Sequence, residues 1–229
     1  MLLPFIKREL TLFLIRKSEP AGERDQILRA EQVNSEGVDA FRSERYNDAT
    51  VLFTEAICLS FLDADVCQIL LKSISPAALD PTIAHFHTNR GTAYAKMGRY
   101  FAALGDFELA TSFKTYKATA KVLIHTARCR LFLGSPPSAL LALREALLLE
   151  PENINALALR SRVVEIQEHS SGYEGARSRK HWRMAGKSYE ACLTAYAQEG
   201  FCIPIQVQAW GAELLNGQCA WAEAELVTK

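Results

Sequence analysis

One spacing of five residues recurs along this chain and constrains its fold more than any single motif does. Gly37, Tyr46, Ala49, Phe53 and Ala56 are separated by 9, 3, 4 and 3 residues. The same separations return in three further sets, the last of which is looser in its residue types: Gly91, Tyr100, Ala103, Phe107, Ala110; Ala127, Pro136, Ala139, Leu143, Ala146; and Tyr173, Trp182, Ala185, Tyr189, Cys192. Small residues about one helical turn apart let two helices pack closely, and such hairpins stack because none buries its apolar face alone. The spacing predicts an all-α array of helical hairpins.

Three hairpins are predicted between residues 30 and 151. Gly98 and Gly134 are expected to end the first helices of the second and third hairpins, because glycine readily adopts the left-handed conformation found there. These two glycines lie 36 residues apart, whereas Gly37 and Gly91 lie 54 apart. The excess predicts an insertion between helices at about residues 60–79.

Residues 1–29 precede the repeats and contain an apolar segment flanked by basic residues. The segment is shorter than the roughly 20 residues that span a bilayer. It also lacks the charge order and the cleavage site of a signal peptide. We expect either a short amphipathic helix packed on the end of the array or a leader, and attachment to a membrane surface or targeting to an organelle is the alternative.

Residues 152–229 are predicted to form a long helix followed by further hairpins. Apolar residues at helical spacing follow Pro151, and a charge-rich stretch from Glu165 to Arg183 continues the pattern. The long helix is expected to join the third repeat to the fourth. The last hairpin is predicted to pair Ile205–Leu215 with Gln218–Val227 across a break at Asn216-Gly217.

Charge and cysteine usage exclude several classes of protein. The 26 basic and 26 acidic side chains cancel, whereas a dedicated nucleic-acid-binding protein usually has a basic excess. The six cysteines form no Cys-x-x-Cys pair and are expected to be reduced core thiols of a cytosolic protein. His85 and His87 are two residues apart on a helix, so we expect no shared metal ion. Neither a phosphate-binding loop nor a catalytic group around Cys129 and His125 is indicated, and we expect a protein with no enzymatic activity and no cofactor.

The repeats resemble the tetratricopeptide repeat family. The resemblance rests on Asn89 to Tyr94, Met97 to Tyr100 and Ala103 to Asp106, with two further copies in the same alignment. The segments from Ala127 to Pro151 and from Gly175 to Trp182 are similar to fungal DnaJ-type co-chaperones of subfamily C member seven. This likeness implies a right-handed superhelical solenoid that binds heat-shock chaperones or their clients in the cytoplasm, or also in the nucleus. No His-Pro-Asp motif occurs in the sequence, so we do not expect it to stimulate ATP hydrolysis by a chaperone.

The resemblance also implies a peptide-binding groove lined by the first helix of each hairpin. Ten residues are predicted to line it: Asn34, Phe41, Arg42, His85, Asn89, Lys96, Lys121, His125, Arg128 and Phe132. Their cations, amides and apolar groups suit an extended peptide that carries a carboxylate and hydrophobic side chains.

Many arrays of this family bind the C-terminal Glu-Glu-Val-Asp tail of a chaperone through a two-carboxylate clamp. Asn89 and Lys121 match that pattern, whereas Asn34 stands in place of lysine, Val38 in place of asparagine and His125 in place of arginine. Each lost charge-assisted bond is worth about 1.5–3 kcal/mol, so a conventional clamp is expected to bind weakly. We expect a protonated His125 to strengthen binding at lower pH. A scaffold of an unrelated complex, with no chaperone as its partner, is the alternative function.

Overall fold

The structure is a computed structural model that describes residues 20–60, 81–113, 118–198 and 203–227. These residues form nine helices and no strand, which confirms the predicted all-α fold. The chain divides into two compact units, residues 1–78 and 79–229. The helices are α1 (Pro20–Arg42), α2 (Tyr46–Ser60), α3 (Pro81–Lys96), α4 (Tyr100–Ser112), α5 (Ala120–Phe132), α6 (Pro136–Leu149), α7 (Ile154–Ser178), α8 (Trp182–Gln198) and α9 (Ile205–Val227).

The first unit contains one hairpin, formed by α1 and α2. Gly37 lies so close to α2 that a Cβ atom at this position would fall 2.7 Å from the Phe53 ring. Helix α1 begins at Pro20, well before the predicted start of the first repeat at Ala30. Residues 1–19 and most of the predicted insertion at 60–79 lie outside the described residues.

The second unit stacks three hairpins, α3–α4, α5–α6 and α7–α8, and α9 packs on α8. Along one side of this stack the first helices are neighbours, since α5 contacts both α3 and α7. The predicted small-residue positions are buried throughout the molecule, with relative exposures of 0–2% at Ala49, Phe53, Ala56, Ala103, Phe107, Ala110, Ala139, Leu143, Ala146, Ala185 and Cys192. The repeated spacing therefore identified the surfaces on which the helices pack.

All four hairpin turns end their first helix in the same way. One residue adopts a left-handed conformation, with φ of 60° at Glu44, 74° at Gly98, 76° at Gly134 and 57° at Lys180. The N–H of the next residue then donates to the carbonyl five positions earlier, as from Arg99 to Tyr94 at 2.9 Å. This bond satisfies a carbonyl that the end of the helix leaves free. The predicted roles of Gly98 and Gly134 are confirmed.

Helix α7 is the long helix that the sequence predicts, but it ends at Ser178 and not near Arg183. The turn at Lys180 reverses the chain, so the basic residues from Arg179 onward do not continue the helix. Gly172 does not break α7, because it lies against α8, where a Cβ atom would fall 3.0 Å from the Ser188 hydroxyl.

The predicted break at Asn216-Gly217 is wrong, because α9 runs without interruption from Ile205 to Val227. Gly217 is buried against the Trp182 ring of α8, and a Cβ atom there would fall 2.5 Å from the ring. Gly211 lies similarly close to the Tyr189 hydroxyl. Both glycines allow α9 to approach α8 closely, which gives them a packing role within a continuous helix.

Candidate functional site

The predicted groove residues of the second unit lie on one face of α3 and one face of α5. His85, Asn89 and Lys96 are spaced along α3. On α5, Lys121 and His125 lie 36 residues after His85 and Asn89, and Arg128 follows on the same face. Spacings of three and four residues place side chains on the same face of a helix. His85, Lys96 and Lys121 are exposed, while Asn89, His125 and Arg128 are partly buried. Because α3 contacts α5, the structure brings these six side chains onto one side of the unit.

Phe132, the last predicted residue on α5, belongs to the packed interior. Its side chain is only 8% exposed and stacks on the Tyr100 ring, with 4.1 Å between the ring centroids. Phe132 therefore supports the contact between α4 and α5 and presents little apolar surface to a ligand.

Asn34, Phe41 and Arg42 belong to the first unit, separate from the six residues on α3 and α5. Asn34 and Phe41 are partly buried, and the Phe41 ring meets the Tyr46 ring edge-on at a centroid distance of 5.2 Å. Arg42 is exposed, and its guanidinium lies 3.3 Å from the Asp39 carboxylate. Of these three residues, Arg42 presents its side chain most openly to solvent.

His125 is surrounded by positive charge. Burial and the nearby cations Arg128, Lys121 and Lys96 lower the pKa of this imidazole to about 4. Its ring also stacks on Phe107 at a centroid distance of 6.0 Å. The imidazole of the free protein is therefore neutral between pH 6 and pH 8. Stronger binding at lower pH through a protonated His125 stays a prediction. The same interactions show that the three cations lie around one point.

Arg128 carries a hydrogen-bond donor that the protein leaves unused. Its Nε atom is buried and has no hydrogen-bond partner among the described residues. A buried donor without a partner costs about 1–3 kcal/mol.

The first part of α7 carries an apolar strip, Ile154, Leu157 and Val164, that was not assigned to the groove from the sequence, and the exposed Arg160 lies on the same helix face. Leu157, Ser161 and Val164 lie 36 residues after Lys121, His125 and Arg128, which is the separation between the second and third repeats. Leu157 and Val164 are 41% and 38% exposed, and Ile154 at the start of the helix is 81% exposed. The fourth repeat was aligned on Tyr173, near the far end of α7. The 36-residue period, continued beyond Pro151, was the signal that identifies these positions.

A buried charge network beside the groove was also missed. The Asp106 carboxylate is 5% exposed and accepts two bonds from Arg90, at 2.9 Å from Nε and 2.7 Å from Nη2. His87 Nδ1 lies 3.1 Å from the same carboxylate. Burial alone would raise the pKa of Asp106, but hydrogen bonds from Arg90 and His87 outweigh it and hold the pKa below its usual value. The sequence signal for this network was that Asp106 occupies the position held by Leu52 in the first repeat and by Ala142 in the third.

Cys129 and the described His, Asp and Glu side chains form neither a reactive thiolate nor a metal site. Burial raises the pKa of the Cys129 thiol to about 12, so it does not form a reactive thiolate with His125. In the part of the chain that the structure describes, no group of three His, Cys, Asp or Glu side chains is placed to hold a metal ion. No described helix is both long enough and apolar enough to cross a bilayer.

Comparison with known proteins identifies the fold. No family model matches the sequence, and no curated protein matches it. Among solved structures, the TPR domain of P58(IPK) has a TM-score of 0.58 at 17% identity, covering 83% of this chain and 45% of that one. The Sgt2 TPR domain from Aspergillus fumigatus has a TM-score of 0.48 at 19% identity, covering 62% of this chain and 82% of that one. The Arabidopsis OM64 TPR domain has a TM-score of 0.47 at 22% identity, covering 60% of this chain and 96% of that one. The likeness to the P58(IPK) domain shows that the chain has the tetratricopeptide-repeat fold.

Proposed function

We propose that this chain, which has the tetratricopeptide-repeat fold, is a non-catalytic scaffold that binds an extended segment of another protein along α3, α5 and α7. One observation carries the proposal: Lys96, Lys121 and Arg128 surround His125 on the neighbouring helices α3 and α5, and α7, which also contacts α5, exposes Leu157 and Val164. Such a surface offers charge-assisted donors and apolar contact to a peptide laid across it.

We further propose that the partner is a heat-shock chaperone or a client polypeptide, which makes the chain a co-chaperone. The sequence resemblance to DnaJ-type co-chaperones supports this partner and favours the cytoplasm, with the nucleus as the alternative location. A scaffold of an unrelated complex remains the second candidate, because the same surface serves any acidic and apolar segment.

Calorimetric titration tests the proposal. The purified chain is titrated with a peptide ending in Glu-Glu-Val-Asp and separately with a full-length heat-shock chaperone. We expect binding that Asn89→Ala and Lys121→Ala weaken, whereas Lys187→Ala, which changes an exposed lysine on α8, leaves it unchanged. Binding to neither probe by a folded protein would contradict the chaperone partner. Binding that ignores Asn89→Ala and Lys121→Ala would contradict the assigned surface.

A further inference from the structure

The turn between α7 and α8 carries positive charge that the groove does not use. Residues 175–189 include five basic side chains and no acidic one. Three of these residues, Arg179, Lys180 and Arg183, are exposed at the turn and form what we call the basic patch. Among the described residues, none of the three side chains takes part in an ion pair. The patch is therefore available to an anionic partner.

The acids at this end of the hairpin do not neutralise the basic patch. Glu213 of α9 reaches the end of α7, but its carboxylate is paired with Arg177 at 2.7 Å and accepts a hydrogen bond from the Tyr173 hydroxyl at 3.2 Å. The exposed Glu190 lies about two helical turns beyond Arg183 on α8. The described side chains around the turn thus leave an excess of positive charge there.

Folding does not favour two of the three patch residues at their positions. Lys180 adopts the left-handed conformation, with φ of 57°, at a turn position that Gly98 and Gly134 hold in other hairpins. This conformation disfavours a residue with a Cβ atom. Arg183 is the second residue of α8, whose first turn has no acid, and the positive end of the helix dipole disfavours a cation there. Residues that cost stability where they stand are expected at functional surfaces.

The surroundings of the patch favour one kind of anionic partner. The patch lies on an exposed turn and not in a groove between helices, so it suits a flat anionic surface better than an extended peptide. Met184, beside Arg183, is 61% exposed and adds an apolar side chain. Trp182 and Tyr189 are partly buried against α9, so they offer no open ring on which the bases of a single-stranded nucleic acid stack. Exposed cations beside an apolar side chain are typical of contact with anionic lipids.

From this arrangement we propose that the basic patch binds the anionic phospholipid headgroups of a membrane surface, with Met184 entering the headgroup layer. The attachment is peripheral and reversible, since each lysine or arginine near an anionic leaflet strengthens binding only about fivefold. The inference does not rest on the proposed function, because the patch lies apart from the groove residues of α3 and α5.

Cosedimentation of the full chain with lipid vesicles tests this inference. The vesicles are phosphatidylcholine alone, or phosphatidylcholine with about a third phosphatidylserine to supply negative charge. We expect binding to the anionic vesicles only, and we expect added salt to weaken it. Arg179→Gln/Arg183→Gln should weaken binding about 30-fold. The matched control Arg99→Gln/Arg144→Gln removes the same charge from two exposed arginines elsewhere in the second unit and should leave binding unchanged.

Lys180→Gly separates loss of binding from loss of structure. Glycine adopts the left-handed conformation freely, so this substitution should raise the midpoint of thermal unfolding. The same substitution removes one cation and should weaken binding to anionic vesicles about fivefold. A protein that is more stable and binds less has not lost its affinity by unfolding.

Several outcomes would overturn the inference. These are absence of vesicle binding, equal binding to neutral and anionic vesicles, or equal losses in the patch and control variants. Unchanged binding in Arg179→Gln/Arg183→Gln would assign the attachment to another part of the chain, such as residues 1–29. Binding of polyuridine RNA or polyglutamate in place of vesicles, lost in the patch variant, would assign the patch to a nucleic acid or an acidic protein. The proposed function can fail separately, because no peptide takes part in this experiment.

Discussion

His125 shows how strongly neighbouring residues determine what one side chain can do. The residue type alone indicates a group that titrates near neutral pH. Burial and the cations Arg128, Lys121 and Lys96 move the pKa to about 4 and keep the ring neutral. The imidazole of the free protein is therefore an uncharged hydrogen-bonding group near neutral pH.

The lowered pKa of His125 predicts a pH-dependent stability. As pH falls below about 6.5, the unfolded chain binds a proton at this residue before the folded protein does, so the free energy of unfolding decreases until pH reaches about 4. The full effect is about 2–4 kcal/mol. Chemical denaturation at several pH values should show a smaller decrease for His125→Gln than for the wild type. His181→Gln, at an exposed turn position, should retain the wild-type dependence, and a His125→Gln profile identical to the wild type would contradict the assignment.

Asp106 is predicted to be the acidic residue on α4 that matters most for stability. Asp106→Asn removes a negative charge. The Asp106 carboxylate accepts two hydrogen bonds from Arg90 and lies in contact with His87. Breaking a buried ion pair in this way costs about 3–5 kcal/mol. Glu108→Gln is the control on the same helix. Glu108 is exposed, and its ion pair with Arg130, at 3.3 Å, contributes about 1 kcal/mol or less to the free energy of unfolding. Equal losses in denaturation experiments would contradict a special role for the buried network.

The sequence predicts on which face of a helix a residue lies. It does not predict how deeply neighbouring helices bury that residue. The structure has Asn89 on α3 and Lys121 and Arg128 on α5, and their role in a groove stays a prediction. The spacing did not show that Phe132 is covered by Tyr100, because stacking depends on a neighbouring helix. The spacing also did not show the positive charge around His125, because one of the cations, Lys96, lies on the neighbouring helix α3.

At the scale of single elements, the four hairpin turns share one hydrogen-bond pattern but not one residue type. Gly98 and Gly134 adopt the left-handed conformation without penalty, whereas Glu44 and Lys180 adopt it despite their Cβ atoms. The sequence marked two of the turns by a glycine, whereas only the nine-residue step from Tyr173 to Trp182 pointed to the turn at Lys180. The charge-rich stretch up to Arg183 was therefore assigned to the long helix, which ends at Ser178.

Two glycines of the α3–α4 hairpin are predicted to respond oppositely to the same substitution. Gly98→Ala forces alanine into a left-handed conformation and should destabilise the protein by about 1 kcal/mol. Gly105→Ala replaces a glycine inside α4 and should stabilise it by about 0.5–1 kcal/mol. A Cβ atom meets nothing within 4 Å at either position, so backbone conformation alone decides the sign. Thermal unfolding of both variants checks this, and a shift of the same sign in both would contradict the turn geometry.

The last helix shows where a local signal misleads about an element. Asn-Gly is a common turn dipeptide, and it was interpreted as the turn of a final hairpin. In the structure Gly217 serves the contact with Trp182, a residue 35 positions earlier in the chain. Sequence spacing alone does not separate a glycine needed for a turn from one needed for close packing.

At the scale of the whole molecule, the repeat spacing predicted the helical hairpins but not how far the last of them extends. In the second unit one core cluster joins α5, α6, the first part of α7, the end of α8 and Val207 of α9. A smaller cluster joins the rest of α7 to α8 and α9 through Tyr173, Ala176, Ala185 and Leu214. The long α7 belongs to both clusters, and both clusters include residues of α9. The single aligned copy at Tyr173 identified only the second cluster.

The most direct test of the account is amide chemical-shift mapping of the isotope-labelled protein as it is titrated with the peptide ending in Glu-Glu-Val-Asp. The account predicts shifts concentrated on the peptide-facing residues of α3 and α5 and on the apolar strip of α7, including Lys121, Arg128 and Leu157. It predicts small shifts on the exposed faces of α4 and α6. Shifts concentrated on α4 and α6 would contradict the central claim that the first helices of the hairpins bind another polypeptide.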